Sequence, residues 1–111
     1  MPEWVRVAAA DEVPPGEKLA VAVGGDDIAL FNVDGTIYAI GDTCTHAEAS
    51  LAEGDFYDTM VECPLHGSAF DVTTGIACGL PAMGNVGKYA VKVEDGAIFV
   101  DPTPVTPRAL R

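Results

Sequence analysis

Cys44-Thr45-His46 and, beyond an intervening stretch 47–62, Cys63-Pro64-Leu65-His66 are the two runs on which the reading of this chain turns. Each follows a thiol closely with an imidazole. Together they use both histidines and two of the three cysteines in the 111 residues. Two Cys and two His suit either zinc or an iron–sulfur cluster. Zinc fingers of this composition group their ligands by type, with Cys-x2-4-Cys first and His-x3-5-His about a dozen residues later. Here each run carries one of each. A two-iron cluster of mixed ligation needs that interleaving, because one iron takes both sulfurs and the other both nitrogens. The spacing therefore points to iron.

Composition bounds the rest. A chain of 111 residues is one domain with a single core. Apolar residues make up 49%, with 12 Gly and 8 Pro, which describes a loop-rich globule. No apolar stretch approaches the roughly 20 residues that cross a bilayer. Met1-Pro2-Glu3-Trp4-Val5-Arg6 lacks the charged-then-apolar pattern of a signal peptide. A cytoplasmic protein without a membrane partner is expected. In that compartment three cysteines argue for metal ligation rather than a disulfide framework. Cys78, outside both runs, is read as a small buried residue. The net charge of −11, from 17 acidic and 6 basic residues, excludes nucleic acid as a partner class. Such a surface is soluble and can steer a small carrier onto basic patches of its partners. Asp42 and Glu48 flank the first run and are read as solvated charges, Glu48 also as a candidate for a docking rim.

Strand signals dominate and no segment keeps a helical period. Strands are expected at Glu3 to Ala8, Lys18 to Val23, Ile28 to Val33, Thr36 to Ile40, Tyr89 to Val93 and Ala97 to Val100. Gly24-Gly25-Asp26-Asp27 is expected to turn between the second and third. Asp34-Gly35 and Asp95-Gly96 each sit between apolar runs, and such a pair marks a two-residue hairpin because both turn positions take positive φ. Many short strands separated by turn residues indicate an antiparallel all-β sandwich or barrel. The expected organisation is a β base, about 3–41 and 83–100, with a smaller lobe inserted at about 42–82. A proline-rich tail, 101–111, is expected to be extended or disordered.

The runs "CTHAEASLAEG" (44–54) and "CPLHGSAFDVTTG" (63–75) closely resemble the two cluster-binding loops of Rieske [2Fe–2S] proteins. The likeness extends from about Trp4 to Val100. Within the family it is greatest to the small ferredoxins of bacterial aromatic-ring-hydroxylating dioxygenase systems. The resemblance implies the Rieske fold, with the inserted lobe binding one [2Fe–2S] cluster. It implies that Cys44 and Cys63 ligate an inner, buried iron and that His46 and His66 ligate an outer one near the surface. Gly67 would let the backbone approach the cluster, and Ser68 would donate a hydrogen bond to cluster sulfur. Gly79-Leu80-Pro81-Ala82 resembles the third, proline-containing loop, which places Pro81 over the cluster. The implied role is an electron carrier and not an enzyme. Its partners would be an NAD(P)H-dependent ferredoxin reductase and a terminal oxygenase, and the carrier would be a monomer. A nitrite reductase small subunit or the ferredoxin of a non-aromatic oxygenase would keep the same cluster; a structural zinc module would not.

Three departures from the respiratory members of the family sharpen this. Those proteins place an extra Cys in each loop and join the two in a disulfide, where this chain has Ala49 and Leu65. They also place a Tyr, whose hydroxyl bonds to cluster sulfur, where this chain has Phe70. Donors to sulfur stabilise the reduced, more negative cluster. A potential near the low end of the Rieske range, roughly −150 to +300 mV, is therefore expected.

Overall fold

The computed structural model describes residues 4–23, 25–43, 50–64, 69–77 and 86–105. Among these there is no α-helix, and no helix long and apolar enough to cross a membrane. Among the described residues ten strands run in order: β1 (Val5–Ala9), β2 (Lys18–Val23), β3 (Asp26–Val33), β4 (Thr36–Gly41), β5 (Asp55–Tyr57), β6 (Met60–Glu62), β7 (Ala69–Asp71), β8 (Lys88–Tyr89), β9 (Val91–Glu94) and β10 (Ala97–Val100). They form three antiparallel sheets, ordered β1-β10-β9, β2-β3-β4-β8 and β5-β6-β7. The all-β, antiparallel expectation is met.

The four-stranded sheet is the middle layer, and its sequence shows why. Ile28-Ala29-Leu30-Phe31 in β3 is fully buried at every position, as a strand covered on both faces must be. Side chains alternate between faces, so Ile28 and Leu30 join one apolar cluster while Ala29 and Phe31 join another. The first cluster lies against the sheet of the chain termini through Ala8, Ile98 and Val100. The second lies against the β5-β6-β7 sheet through Val61, Cys63 and Phe70. Phe31 meets Phe56 edge-on, with ring centroids 5.0 Å apart at 61°.

Turn chemistry sets the registers. Asp34 (φ 51) with Gly35 (φ 97), and Asp95 (φ 53) with Gly96 (φ 75), close the β3–β4 and β9–β10 hairpins. Val33 thus stands opposite Thr36, and Glu94 opposite Ala97. Pairing of Val23 with Asp26 narrows the β2–β3 turn to positions 24 and 25, so β3 starts two residues earlier than Ile28. Asn32 is buried and ties the β3–β4 turn to the segment before β2: its side-chain amide donates to the Val13 carbonyl (2.8 Å) and its Oδ1 accepts from the Gly35 N–H (2.7 Å).

The run Tyr89 to Val93 is not one strand. Lys88 and Tyr89 pair with Ile40 and Ala39 of the middle sheet, whereas Val91–Glu94 pairs with β10. The chain changes sheets at Ala90, which local alternation cannot signal. The three-residue strands β5, β6 and β7 also escape sequence reading, because three residues give too few alternations to score. Their first hairpin turns at Asp58 (φ 53) without a following Gly. Beyond β10, Val105 exchanges two backbone hydrogen bonds with Lys88 (2.8 and 2.9 Å), so the start of the proline-rich tail lies extended along the middle sheet.

Candidate metal centre

Six-residue connections hold both candidate ligand pairs, and an antiparallel pair closes the base of each. Thr43 bridges Ser50 across 44–49, and Glu62 pairs with Ala69 across 63–68. Cys44 and Cys63 are the first residues of their connections, directly attached to paired backbone. A third connection, 78–85, carries Pro81. At its base, Ala77 bridges Phe70 and the Val86 N–H donates to the Gly75 carbonyl (2.8 Å). Of the candidate residues, Cys63 is described; Cys44, His46, His66, Gly67, Ser68 and Pro81 lie outside the described residues, as do Glu48 and Cys78.

The bases of the three connections meet in one apolar cluster. Leu51 follows the first connection, Cys63 opens the second, Phe70 follows it and Val86 follows the third, all buried together. Cys63 is only 2% exposed. Its sulfur is screened from water there, which suits a ligand to a buried iron. Phe70 is fully buried in the same cluster and offers carbon where a tyrosine would offer a hydroxyl. The buried Cys63, at the common apolar base of the three connections, fits one ligand position of a two-iron cluster.

Two glycines make this packing possible. A methyl group at Gly54 would overlap the Glu62 carbonyl oxygen, one residue before Cys63. Gly75 has φ 84, and a methyl group there would overlap the Val86 carbonyl oxygen. Gly54→Ala forces the β6 backbone away just where it delivers Cys63. It is expected to cost about 1–3 kcal/mol, as overpacking does. Thermal unfolding together with iron content per chain checks this: an unchanged melting temperature and full iron would show that the backbone yields freely.

The surroundings are acidic. A cleft of about 270 Å³ beside Cys63 and Pro64 is walled by Glu53, Asp55 and Glu62. Tyr57, half exposed, donates its phenol to Glu62 Oε2 (2.7 Å). That bond, then slight desolvation and the charges of Glu62, Asp55 and Asp58, raise the Tyr57 pKa above the ordinary phenol value. A second cleft, about 430 Å³, reaches Thr43 and Val86 and contains Asp26, Asp27 and Asp42. Tyr89 lines it too, its pKa raised by burial and then by Asp26.

Asp42 corrects the sequence reading. It is not a solvated charge: it is 6% exposed, and its Oδ1 accepts the Ala52 N–H (2.9 Å). Its position beside Cys44 gave no hint of this, because the partner lies ten residues on. A short polar residue just before a ligand run is a weak cue for such a closure.

Known proteins supply the remaining comparison. Residues 3–90 match the family described as the Rieske [2Fe-2S] domain. The chain is 39% identical over 99 residues to the ferredoxin component of the naphthalene 1,2-dioxygenase system of Pseudomonas aeruginosa, covering 89% of this chain and 95% of that protein. It is 48% identical over 91 residues to the 3-phenylpropionate/cinnamic acid dioxygenase ferredoxin subunit of Shigella flexneri, covering 81% and 85%. It is also similar to a chain of a structure described as a complex of reduced oxygenase and oxidized ferredoxin in carbazole 1,9a-dioxygenase. There the TM-score is 0.87 at 37% identity, with 94% of this chain and 97% of that one covered.

Proposed function

This chain belongs to the Rieske [2Fe–2S] domain family, and from that premise we propose that it is the ferredoxin of a ring-hydroxylating dioxygenase system. It carries single electrons from an NAD(P)H-dependent flavin reductase to the terminal oxygenase. Members of the family carry one [2Fe–2S] cluster, and that group supplies the one-electron couple. The chain supplies ligands, burial and a docking surface. Cys44 and Cys63 would hold one iron and His46 and His66 the other, the imidazole-held iron being the one from which electrons would pass to partners. By the family resemblance Gly67 and Ser68 would back the second ligand pair, and Pro81 would lie on the third connection beside the cluster. Residues 42–82 form the cluster-binding lobe on a base built from 3–41 and 83–100.

One observation carries the carrier reading. Both Cys-x-His and Cys-x2-His runs sit on short connections clamped by antiparallel pairs over a common apolar cluster containing Cys63. A base tied by paired backbone and apolar packing gives a one-electron couple a defined frame. The relatives' names speak for the dioxygenase setting, and both histidines are used in the ligand runs, leaving none for a second iron site. Acidic walls beside Cys63 and Thr43 suit steering onto basic partner surfaces, with brief encounters of a monomeric, cytoplasmic carrier.

Redox titration of the cluster-loaded protein tests the assignment. Phe70 offers no hydroxyl, so a potential near the low end of the Rieske range, about −150 mV, is expected. A clearly positive potential would overturn the reading, as would failure of the protein to support NADH-driven turnover with dioxygenase reductase and oxygenase components.

A further inference from the structure

We infer that Asp42 is a positioning residue that shuts the 44–49 connection and, through its charge, holds the reduction potential low. The inference rests on the proposed ligation by Cys44. Three hydrogen bonds converge on this one residue. Its N–H donates to the Asp27 carbonyl (3.0 Å), its carbonyl accepts the Leu51 N–H (2.6 Å), and its Oδ1 accepts the Ala52 N–H (2.9 Å). The first bond fixes Asp42 to the start of β3; the other two reach across the connection to its far side. The Thr43–Ser50 bridge lies just inside them.

The far side needs such a partner. Leu51–Glu53 is a 3-10 turn whose N-cap, Ser50, makes no side-chain cap hydrogen bond. Orphan N–H groups at the start of a helical turn are ordinarily met by the cap side chain. Here Asp42 meets two of them from upstream, the Leu51 N–H with its carbonyl and the Ala52 N–H with its carboxylate, so the cap and the loop closure are the same contact. Leu51, held by the adjoining bond, is fully buried in the cluster that contains Cys63. Asp42 thereby joins the base of the first connection to that of the second.

The charge follows from the position. Two residues span at most ~7 Å of chain, so the Asp42 backbone lies within that reach of the Cys44 backbone. At 6% exposure it is poorly screened by solvent ions. Reduction adds one negative charge to the cluster, and a fixed carboxylate nearby opposes it. Hydrogen bonds from the Ala52 and Leu51 amides hold that carboxylate and its backbone in place.

Asp42→Asn and Asp42→Glu separate geometry from charge. The amide oxygen of Asn keeps the acceptor for Ala52 and removes the charge, whereas Glu keeps the charge and displaces the acceptor. The holoprotein carrying Asp42→Asn is expected to retain its iron and the EPR g values of the reduced state. At a fixed ambient potential its reduced-to-oxidised ratio should rise about threefold or more. Asp42→Glu is expected to keep the parent ratio while losing iron to a chelator several-fold faster. An unchanged ratio in Asp42→Asn overturns the electrostatic role. Failure of Asp42→Asn to assemble a cluster, or parent-like iron retention in Asp42→Glu, overturns the positioning role. The parent's own EPR spectrum separates these outcomes from a failure of the Rieske ligation itself.

Discussion

Joint replacement of His46 and His66 by cysteine is expected to lower the reduction potential by about 250 mV, from about −150 mV toward the −400 mV of all-thiolate ferredoxins. Neutral imidazoles leave the cluster less negative than thiolates do. Two further thiolates stabilise the oxidised state and make each added electron costlier. The low-g EPR signal of mixed ligation should give way to that of an all-cysteine cluster. Transfer to a terminal oxygenase should stop, because the electron would then sit below the reach of a flavin donor. An unchanged potential with an unchanged transfer rate would show that these histidines do not hold iron. Single replacements should fall between, each leaving one imidazole on the outer iron.

Phe70→Ala is the second large effect, and it acts through packing. Phe70 is fully buried, so its truncation should cost about 3–5 kcal/mol out of a total stability of about 5–15 kcal/mol. The cavity would open within the cluster where Leu51, Cys63 and Val86 root the three connections. Iron loss to a chelator should therefore accelerate alongside the fall in melting temperature. Ile98→Ala supplies the comparison: Ile98 is equally buried but belongs to the other cluster, between the middle sheet and the sheet of the termini. Its truncation should cost about 2–5 kcal/mol and leave iron retention at moderate temperature nearly unaltered. Equal acceleration of iron loss in both variants would mean that the two clusters are one cooperative unit. The assignment of the site's rigidity to the Phe70 side would then be wrong.

The contrast between these variants turns on a feature of β3. Its four central residues read as a plain apolar run, yet alternate residues serve different cores. One side of the middle sheet stabilises the union of the chain ends; the other builds the floor beneath the ligand connections. Mutations that look equivalent by hydrophobicity thus separate into those that loosen the fold and those that also loosen the site.

Local chemistry made much of this legible in the amino-acid sequence. Asp34-Gly35 and Asp95-Gly96 announce hairpins because positive φ is required at both turn positions, and few residues other than Gly, Asn and Asp accept it. Lys18–Val23 declares itself by composition and bounded length. The paired runs containing Cys44, His46, Cys63 and His66 declare a metal by residue type and interleaving, which need no partner elsewhere in the chain. The absence of a hydroxyl at Phe70 is likewise a fact of the residue itself.

Tertiary structure decided whatever depends on distant neighbours. The break at Ala90 exists because Tyr89 and Val91 pair with different sheets, a choice made by β4 and β10 and not by the run they belong to. The strands β5, β6 and β7 are too short to reveal their period and are held by one another and by the face of β3 above them. Asp42 reads as a charge for solvent and is instead spent on an amide ten residues away. Gly54 matters for the carbonyl of Glu62, which only folding brings against it. Ligand identity is written in side-chain chemistry and survives in the bare sequence. The base on which those candidate ligands stand comes from contacts between segments, and those appear only when the chain is folded.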